Sequence, residues 1–293
     1  MSRPVLLLVN PAASGGRSRE VATAARAELQ LMRADHRVVE SRDLGHARDE
    51  AASAAARGEL VAACGGDGFI GTVAGAVRNT DGALAVIPGG RGNDFARVLG
   101  IPTEPREAAR LAMTGTDRML DVATCDGKPF VCIASFGFDS DANRIANETT
   151  FVKGNLVYLY AALKALWQWK DARFTVTIDG ERHEFTGHSV TVGNSKAYGG
   201  GMFVLPQAEL DDGRLDVMFA GAASKLHFLR MLPKVFKGAH VDDRAVTMLS
   251  GTRVEAAADR PFTIYADGDP IADLPSTIAV EPRCLRVVVP SQP

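Results

Sequence analysis

Three short, wholly apolar runs each end in a loop of glycine, asparagine and aspartate, and each loop opens into a helical stretch. "PVLLLV" runs into "NPAASGGRS", "ELVAAC" into "GGDG", and "ALAVIP" into "GGRGND". An apolar run with no polar alternation has to be buried on both faces, the environment of a central strand in a parallel sheet. Helical stretches at residues 17 to 33, 46 to 57 and 69 to 78 separate these runs, and "HRVVE" adds a further strand. Residues 1–120 are therefore expected to form an α/β layer around a parallel sheet.

From residue 121 the texture changes to β-branched and aromatic runs parted by turn residues. "RMLDVATC", "KPFVCIASFG", "RFTVTID", "RHEFTGHSVTVGN", "GRLDVMFA", "RAVTMLSGTRVEAA", "PFTIYADGD" and "STIAVE" predict an antiparallel β-sandwich over residues 121–282, interrupted by helical stretches at 154–170 and 224–237. A chain of 293 residues exceeds the usual single-domain size, so two domains are expected. No disordered linker parts them, which makes the cleft between them a natural ligand site.

Charge and cysteine usage narrow the function. With 33 basic and 35 acidic residues the net charge is −2, so there is no global field to gather nucleic acid, and no nucleic-acid partner is expected. The four cysteines, Cys64, Cys125, Cys132 and Cys284, lack C-x-x-C spacing and sit in apolar contexts, as buried free thiols of a reducing compartment do. "VLLLV" is cut by Asn10-Pro11, too short for a signal peptide or a membrane span. The expected location is cytoplasmic.

Loops at the carboxyl ends of parallel strands are where such sheets bind ligands, and glycines there let backbone N–H groups approach an anion ahead of a helix dipole. One such loop is ordinary; three on successive strands point to a polyphosphate. Ser14, Gly15 and Gly16 form the first, with Arg17 in the first helical turn. Gly65, Gly66 and Gly68 form the second, and Gly89, Gly90, Arg91 and Gly92 the third, followed by Asn93 or Asp94 as an N-cap. Asp67, inside the second loop, would repel a bare phosphate and so should face a metal ion or a proton donor. The strand-rich half adds Asp211, Asp212 and Asp216, and Asp267 and Asp269 across a glycine. Such oxygen clusters suit magnesium, although D-D-G and A-D-G also spell hairpin turns. Gly66, Gly68 and Gly71 spell G-x-G-x-x-G, but after the third strand and with no acid about 20 residues on, which argues against a dinucleotide oxidoreductase.

In this order "NPAASGG", "GGDG", "PGGRGNDFAR", "NSKAYGGGMFVLPQAELDDGRLDV" and "DGD" resemble the diacylglycerol kinase catalytic domain family of lipid kinases, which shares its G-G-D-G loop with NAD kinases and phosphofructokinases. The resemblance spans about residues 10 to 270. It implies an N-terminal α/β nucleotide domain, a C-terminal β-sandwich, ATP and magnesium in the cleft, and a lipid hydroxyl as phosphoryl acceptor. It also implies that the last strand, about residues 283–293 around "LRVVVP", returns to the first domain. On the matched positions, Gly65, Gly66, Gly68, Ser14 and Gly15 cradle the ATP phosphates, with Asn10 fixing the first loop and Gly90, Arg91 and Asn93 contributing from the third. By the same resemblance Asp67 is expected to hold the catalytic magnesium or its water, and Asp269 to take the proton of the attacking hydroxyl. A second, water-linked magnesium falls to Asp121 and Asp212, with Asp94, Arg97 and Arg17 in a charged network toward the site. Where the family reads G-G-D-G-T and then N-E, this chain has Phe69, Gly71 and Thr72; Arg91 replaces a threonine, and Asp269 a glutamate one methylene longer.

A lipid acceptor requires peripheral contact with a membrane surface, here the inner face. "SKLHFLRMLPKVFK" interleaves Leu226, Phe228, Leu229, Leu232, Val235 and Phe236 with four cations, and "GNLVYLYAALKALWQWK" carries Tyr158, Tyr160, Trp167 and Trp169. Both patterns equally describe helices packed on a sandwich, with Pro233 kinking or ending the first. Two alternatives stay beside the lipid kinase, namely a nonenzymatic lipid or nucleotide sensor with a degenerate site and an NAD kinase-like phosphotransferase. A homodimer is left open.

Overall fold

The structure is a computed structural model that describes residues 3–149 and 156–291. The first half runs β1 (Val5–Val9), α1 (Arg17–Leu31), β2 (His36–Glu40), α2 (Leu44–Ala56), β3 (Leu60–Gly65), α3 (Asp67–Val77), β4 (Ala83–Pro88), α4 (Asp94–Val98) and α5 (Pro105–Thr114). Its strands pair in parallel in the order β2-β1-β3-β4. β1, β3 and β4 are buried at every position, whereas the edge strand β2 is half exposed, matching their all-apolar and mixed sequences. Small side chains let the helices come close: α2 packs through Ala47, Ala51, Ala54 and Ala55. Asp43 caps α2 by accepting the His46 N–H at 2.7 Å, and Glu104 caps α5 through the Glu107 N–H ahead of Pro105 at the first turn.

The second half runs β5 (Thr116–Cys125), β6 (Lys128–Phe130), β7 (Ile133–Gly137), α6 (Phe138–Glu148), α7 (Leu156–Gln168), β8 (Ala172–Ile178), β9 (Glu181–Gly193), β10 (Leu215–Gly221), α8 (Lys225–Val235), β11 (Val246–Gly251), β12 (Arg253–Ala258), β13 (Thr263–Ala266), β14 (Asp269–Asp273) and β15 (Ser276–Val289). These strands pair antiparallel in the order β14-β13-β7-β9-β8-β12-β15, with β10 and β11 extending from β9 and β5 and β6 from β15. Alternating burial along β8 marks one face turned to a core built on Phe136, Phe174, Val190, Val217 and Ile264. The α/β class with an N-terminal parallel sheet and C-terminal antiparallel strands is thus the observed architecture.

"STIAVE" and "LRVVVP" are one strand. β15 pairs with β12 through Ser276 to Ala279, then continues past a register shift between Glu281 and Leu285 to lie parallel beside β4, Val287 opposite Leu84. β5 accompanies it along both segments. At the shift Arg283 has φ 49° and its N–H is held by Asp121 Oδ1 at 2.6 Å, while Asp121 Oδ2 accepts the Gly213 N–H at 2.6 Å. Asp121 thereby clamps the bulge that lets one strand serve both sheets.

Leu285 is fully buried just past that bulge. Leu285→Ala should cost about 2–5 kcal/mol. Urea unfolding followed by circular dichroism and by tryptophan emission should show both probes shifting together.

Candidate active site

The three glycine loops meet at the carboxyl ends of β1, β3 and β4 around a cleft of about 550 Å3, and one residue from the second half, Asp269, reaches it. Of the residues expected from sequence, Asn10, Gly15, Gly66, Asp67, Gly68, Gly90, Arg91 and Asp269 line this cleft together with Ala12, Ala13, Leu44 and Phe69. Asn10 shapes the first loop. Its N–H donates to the Cys64 carbonyl at 2.9 Å, its Oδ1 accepts the Ala12 N–H at 3.1 Å, and its carbonyl accepts the Ser18 hydroxyl at 2.5 Å. A 3-10 turn, Ala13–Gly16, then leads into α1 with Arg17 exposed at its start; the Ser14 side chain lies outside the described residues.

The second and third loops touch backbone to backbone. A Cβ on Gly90 would come within 2.5 Å of the Gly66 Cα, so a side chain there would force the loops apart. Asn93, at φ 52°, accepts the Gly90 N–H at 2.9 Å and donates back to the Gly90 carbonyl at 3.1 Å, closing the third loop on itself. From sequence, Asn93 or Asp94 caps the helix that follows. The cap comes instead from Asp67, whose Oδ2 accepts the Asn93 N–H at 2.8 Å and whose Oδ1 accepts the Phe95 N–H at 3.4 Å; the Asn93 side chain is already spent on Gly90. Asp94 turns the other way and accepts the Gly200 N–H at 2.8 Å, tying α4 to the "YGGG" loop.

Three carboxylates here are pushed above the ordinary range. Burial raises Asp67, with the neighbouring Asp94 charge adding to it and the backbone N–H groups of Phe95, Asn93 and Asp94 opposing. Burial alone raises Asp269. Burial pushes Asp267 up to about 7 against N–H bonds from Val131, Ile133 and Cys132. Sequence singles out Asp267 and Asp269 together as possible oxygen ligands, but only Asp269 faces the cleft. Asp267 Oδ2 accepts the Val131 N–H at 2.8 Å, and Oδ1 accepts those of Cys132 at 3.0 Å and Ile133 at 3.1 Å. With φ 51°, Asp267 anchors the tight turn that presents Asp269, a positioning role that D-G-D spacing signals without distinguishing the two acids.

The remaining carboxylates stand elsewhere. Asp121 and Asp212 do not line the cleft, and Asp212 Oδ1 accepts the Arg214 N–H at 2.9 Å in its own turn. Asp211 pairs with Arg118 through two bonds of 2.7 and 2.8 Å. Burial raises Asp216 to about 6, with the charge of Asp212 adding to it. Arg97 reaches the Gly92 carbonyl at 3.4 Å and lies 3.9 Å from Asp94 Oδ1. Phe69, which departs from the expected threonine, is buried with its ring against Gly65, where a Cβ would meet its Cδ1 at 2.6 Å.

Residues 4–125 match the family described as "Diacylglycerol kinase catalytic domain", and residues 132–289 the "YegS C-terminal NAD kinase beta sandwich-like domain". The chain belongs to the diacylglycerol kinase and YegS lipid-kinase family. It is 33% identical to a diacylglycerol kinase of Mycobacterium tuberculosis over 98% of this chain and 95% of that one. It is 30% identical to a Pseudomonas aeruginosa protein named "Probable lipid kinase YegS-like" over 98% and 94%. A crystal structure named as that of a putative diacylglycerol kinase from Bacillus anthracis superposes with a TM-score of 0.82 at 24% identity, covering 98% of this chain and 97% of that chain, which shows the shared fold. This lipid kinase is accordingly a phosphotransferase acting on a lipid alcohol, and its family implies ATP use. Among its described residues no helix is long and apolar enough to cross a membrane.

A Cβ on Gly68 would collide with Asp269 Oδ2, the end of a movable side chain. Gly68→Ala in this lipid kinase should displace Asp269 and lower kcat by on the order of a hundredfold. The thermal midpoint should stay within a few degrees; a variant of unchanged kcat would show that the contact is idle.

Proposed function

We propose that the protein transfers the γ-phosphoryl group of ATP, with magnesium, to the hydroxyl of diacylglycerol or a closely related lipid presented at a membrane surface. One observation carries the reading. Asp269, delivered by the strand-rich half, lies against Gly68 of the "GGDG" loop, so an acid from one half faces a glycine cradle from the other across a single cleft.

The residues fit these partners. The first N–H groups of α3 have no side-chain cap, since Gly66 stands at the N-cap, and they open on the cleft where phosphate charge would be welcome. Arg91 is exposed on the cleft wall and supplies a cation beside that charge. Among the described residues no three His, Cys, Asp or Glu side chains are arranged to hold a metal. Magnesium keeps most of its waters and needs only one or two carboxylates. Asp67 retains lone pairs beyond the N–H groups it accepts at the start of α4. Asp94 Oδ1 is buried with no hydrogen-bond partner. These two acids would hold the ion, which when bound neutralises charge on the phosphates. The second magnesium expected at Asp121 and Asp212 would find Asp121 accepting one backbone N–H on each oxygen, from Gly213 and Arg283, with lone pairs left for a metal-bound water.

Asp269 takes the acceptor's proton in this reading. Burial has raised its pKa, so the active, ionised form accumulates at higher pH than it would for a solvated aspartate. The sign for stability is opposite. With the folded pKa above the unfolded one, Asp269 favours folding most when protonated, below the unfolded value, and that contribution is lost as pH rises through the folded one.

Asp269→Asn should reduce kcat by on the order of a hundred- to ten-thousandfold and abolish the acidic limb of the rate profile. Radiolabelled ATP with dispersed diacylglycerol provides the assay, and wild-type turnover in the variant would end the assignment. Asp67→Ala should abolish transfer and also lower stability by about 1 kcal/mol, because α4 loses its cap. Denaturant titration separates that loss from the catalytic one.

A further inference from the structure

α7 and α8 meet beside β9, where Trp169 and Phe228 both stack on His188, and α8 is apolar on two sides. Its inner side belongs to the core: the Phe228 ring stacks on His188 at 4.9 Å and meets Phe138 at 4.8 Å, and Met231 is buried. Its outer side carries Leu226, Leu229, Pro233 and Phe236, all exposed, at intervals of three and four residues that align them in one stripe. Packing explains the first set and leaves the second without a partner. α7 extends the same surface. Trp169, just beyond its end, is 7% exposed, but Trp167 is 83% and Leu163 46% exposed. The Lys225 ammonium joins the two helices, donating to the Trp167 carbonyl and lying 5.6 Å from that indole's centroid.

The charged side chains that these two helices carry on this surface are of one sign. Lys164, Lys225, Arg230, Lys234 and Lys237 are exposed along it, and neither the α7 span 156–168 nor residues 225–237 contains an aspartate or glutamate. Acids come in from outside the helices: Asp243 accepts from His227 at 2.9 Å and lies 4.0 Å from Lys234, and Asp171 accepts the Trp169 indole N–H at 3.2 Å. A second copy of the chain docked stripe to stripe would oppose two rows of cations with no carboxylate of these helices between them. Anionic headgroups above acyl chains complement both features.

We propose that the outer faces of α7 and α8 form a docking surface for an anionic bilayer, with Trp167, Leu163, Leu226, Leu229 and Phe236 entering the acyl boundary and the lysines and Arg230 meeting the headgroups. At 13 and 11 residues the helices lie on the membrane rather than crossing it. The inference deepens the reading of a membrane-presented acceptor and rests on it for its purpose. Binding is measured without turnover, so failure of one is told apart from failure of the other.

Sedimentation with phosphatidylcholine vesicles, with and without phosphatidylglycerol, tests it. The wild-type protein should bind the phosphatidylglycerol-containing vesicles, lose binding as salt is raised, and leave the neutral ones unbound. Tryptophan emission should shift to the blue and be quenched by brominated acyl chains, and Trp167→Phe should remove both effects because Trp169 is already buried. A Leu226→Ser, Leu229→Ser, Phe236→Ser variant, altered only at exposed positions, should bind about tenfold more weakly or less. Its transfer to detergent-dispersed diacylglycerol should stay unchanged. Absence of anionic-vesicle binding by the wild type, or binding without Trp167 quenching, would overturn the proposal. So would a wild-type dimer in analytical ultracentrifugation that the serine variant dissolves, since a second copy would then own the surface.

Discussion

Everything at the candidate site depends on one carboxylate reaching across two loops. Asp67 leaves the end of β3 and accepts N–H groups at the start of α4, so the second glycine loop is held against the third. Gly66 and Gly90 can then meet without side chains between them, and Asp94, at the start of the same helix, points on to Gly200 in the other half. The chain of contacts runs from a strand end to a helix cap to a distant loop. An acid that would be awkward beside bare phosphate is made tolerable by the backbone donors it satisfies, while its remaining lone pairs stay turned to the cleft.

The same economy governs the D-G-D turn. Asp267 spends its charge on three backbone N–H groups at the start of β7, and Asp269 is left to face Gly68. Burial raises both acids, but one is satisfied by the fold and the other is exposed to whatever enters the cleft. Two identical side chains, two residues apart, thus part ways: one anchors the turn and the other faces the cleft.

Much of this was legible in the residues. β4, Ala83–Pro88, is the apolar run "ALAVIP" itself, and Leu60–Gly65 follows "LVAACG", because strands buried on both faces leave no polar letters to blur their limits. α6 was not legible: "FDSDANRIANE" is polar and rich in turn formers, and it is helical because Phe138 and Ile145 bury against the sandwich. "RAVTMLSGTRVEAA" reads as one strand but is β11 and β12, since Gly251 and Thr252 turn the chain between partners β10 and β15. At the site, residue types picked out the glycine loops and Asp67 and Asp269, which meet at the cleft, yet not that Asp67 would cap α4 or that Asp267 would turn away. Which way a side chain points is set by contacts between segments far apart in sequence. The neighbouring tryptophans make the same point, Trp169 stacking on His188 while Trp167 faces outward.

β15 has a mechanical meaning. Its early residues are laddered to β12 and its late ones to β4, with β5 bonded along both segments. Swinging one half about the other would shear that doubled ribbon, so the seam behaves as a weld, not a hinge. The gap between Asp269 and the glycine loops is set when the chain folds, and any narrowing of the cleft has to come from the loops at its rim.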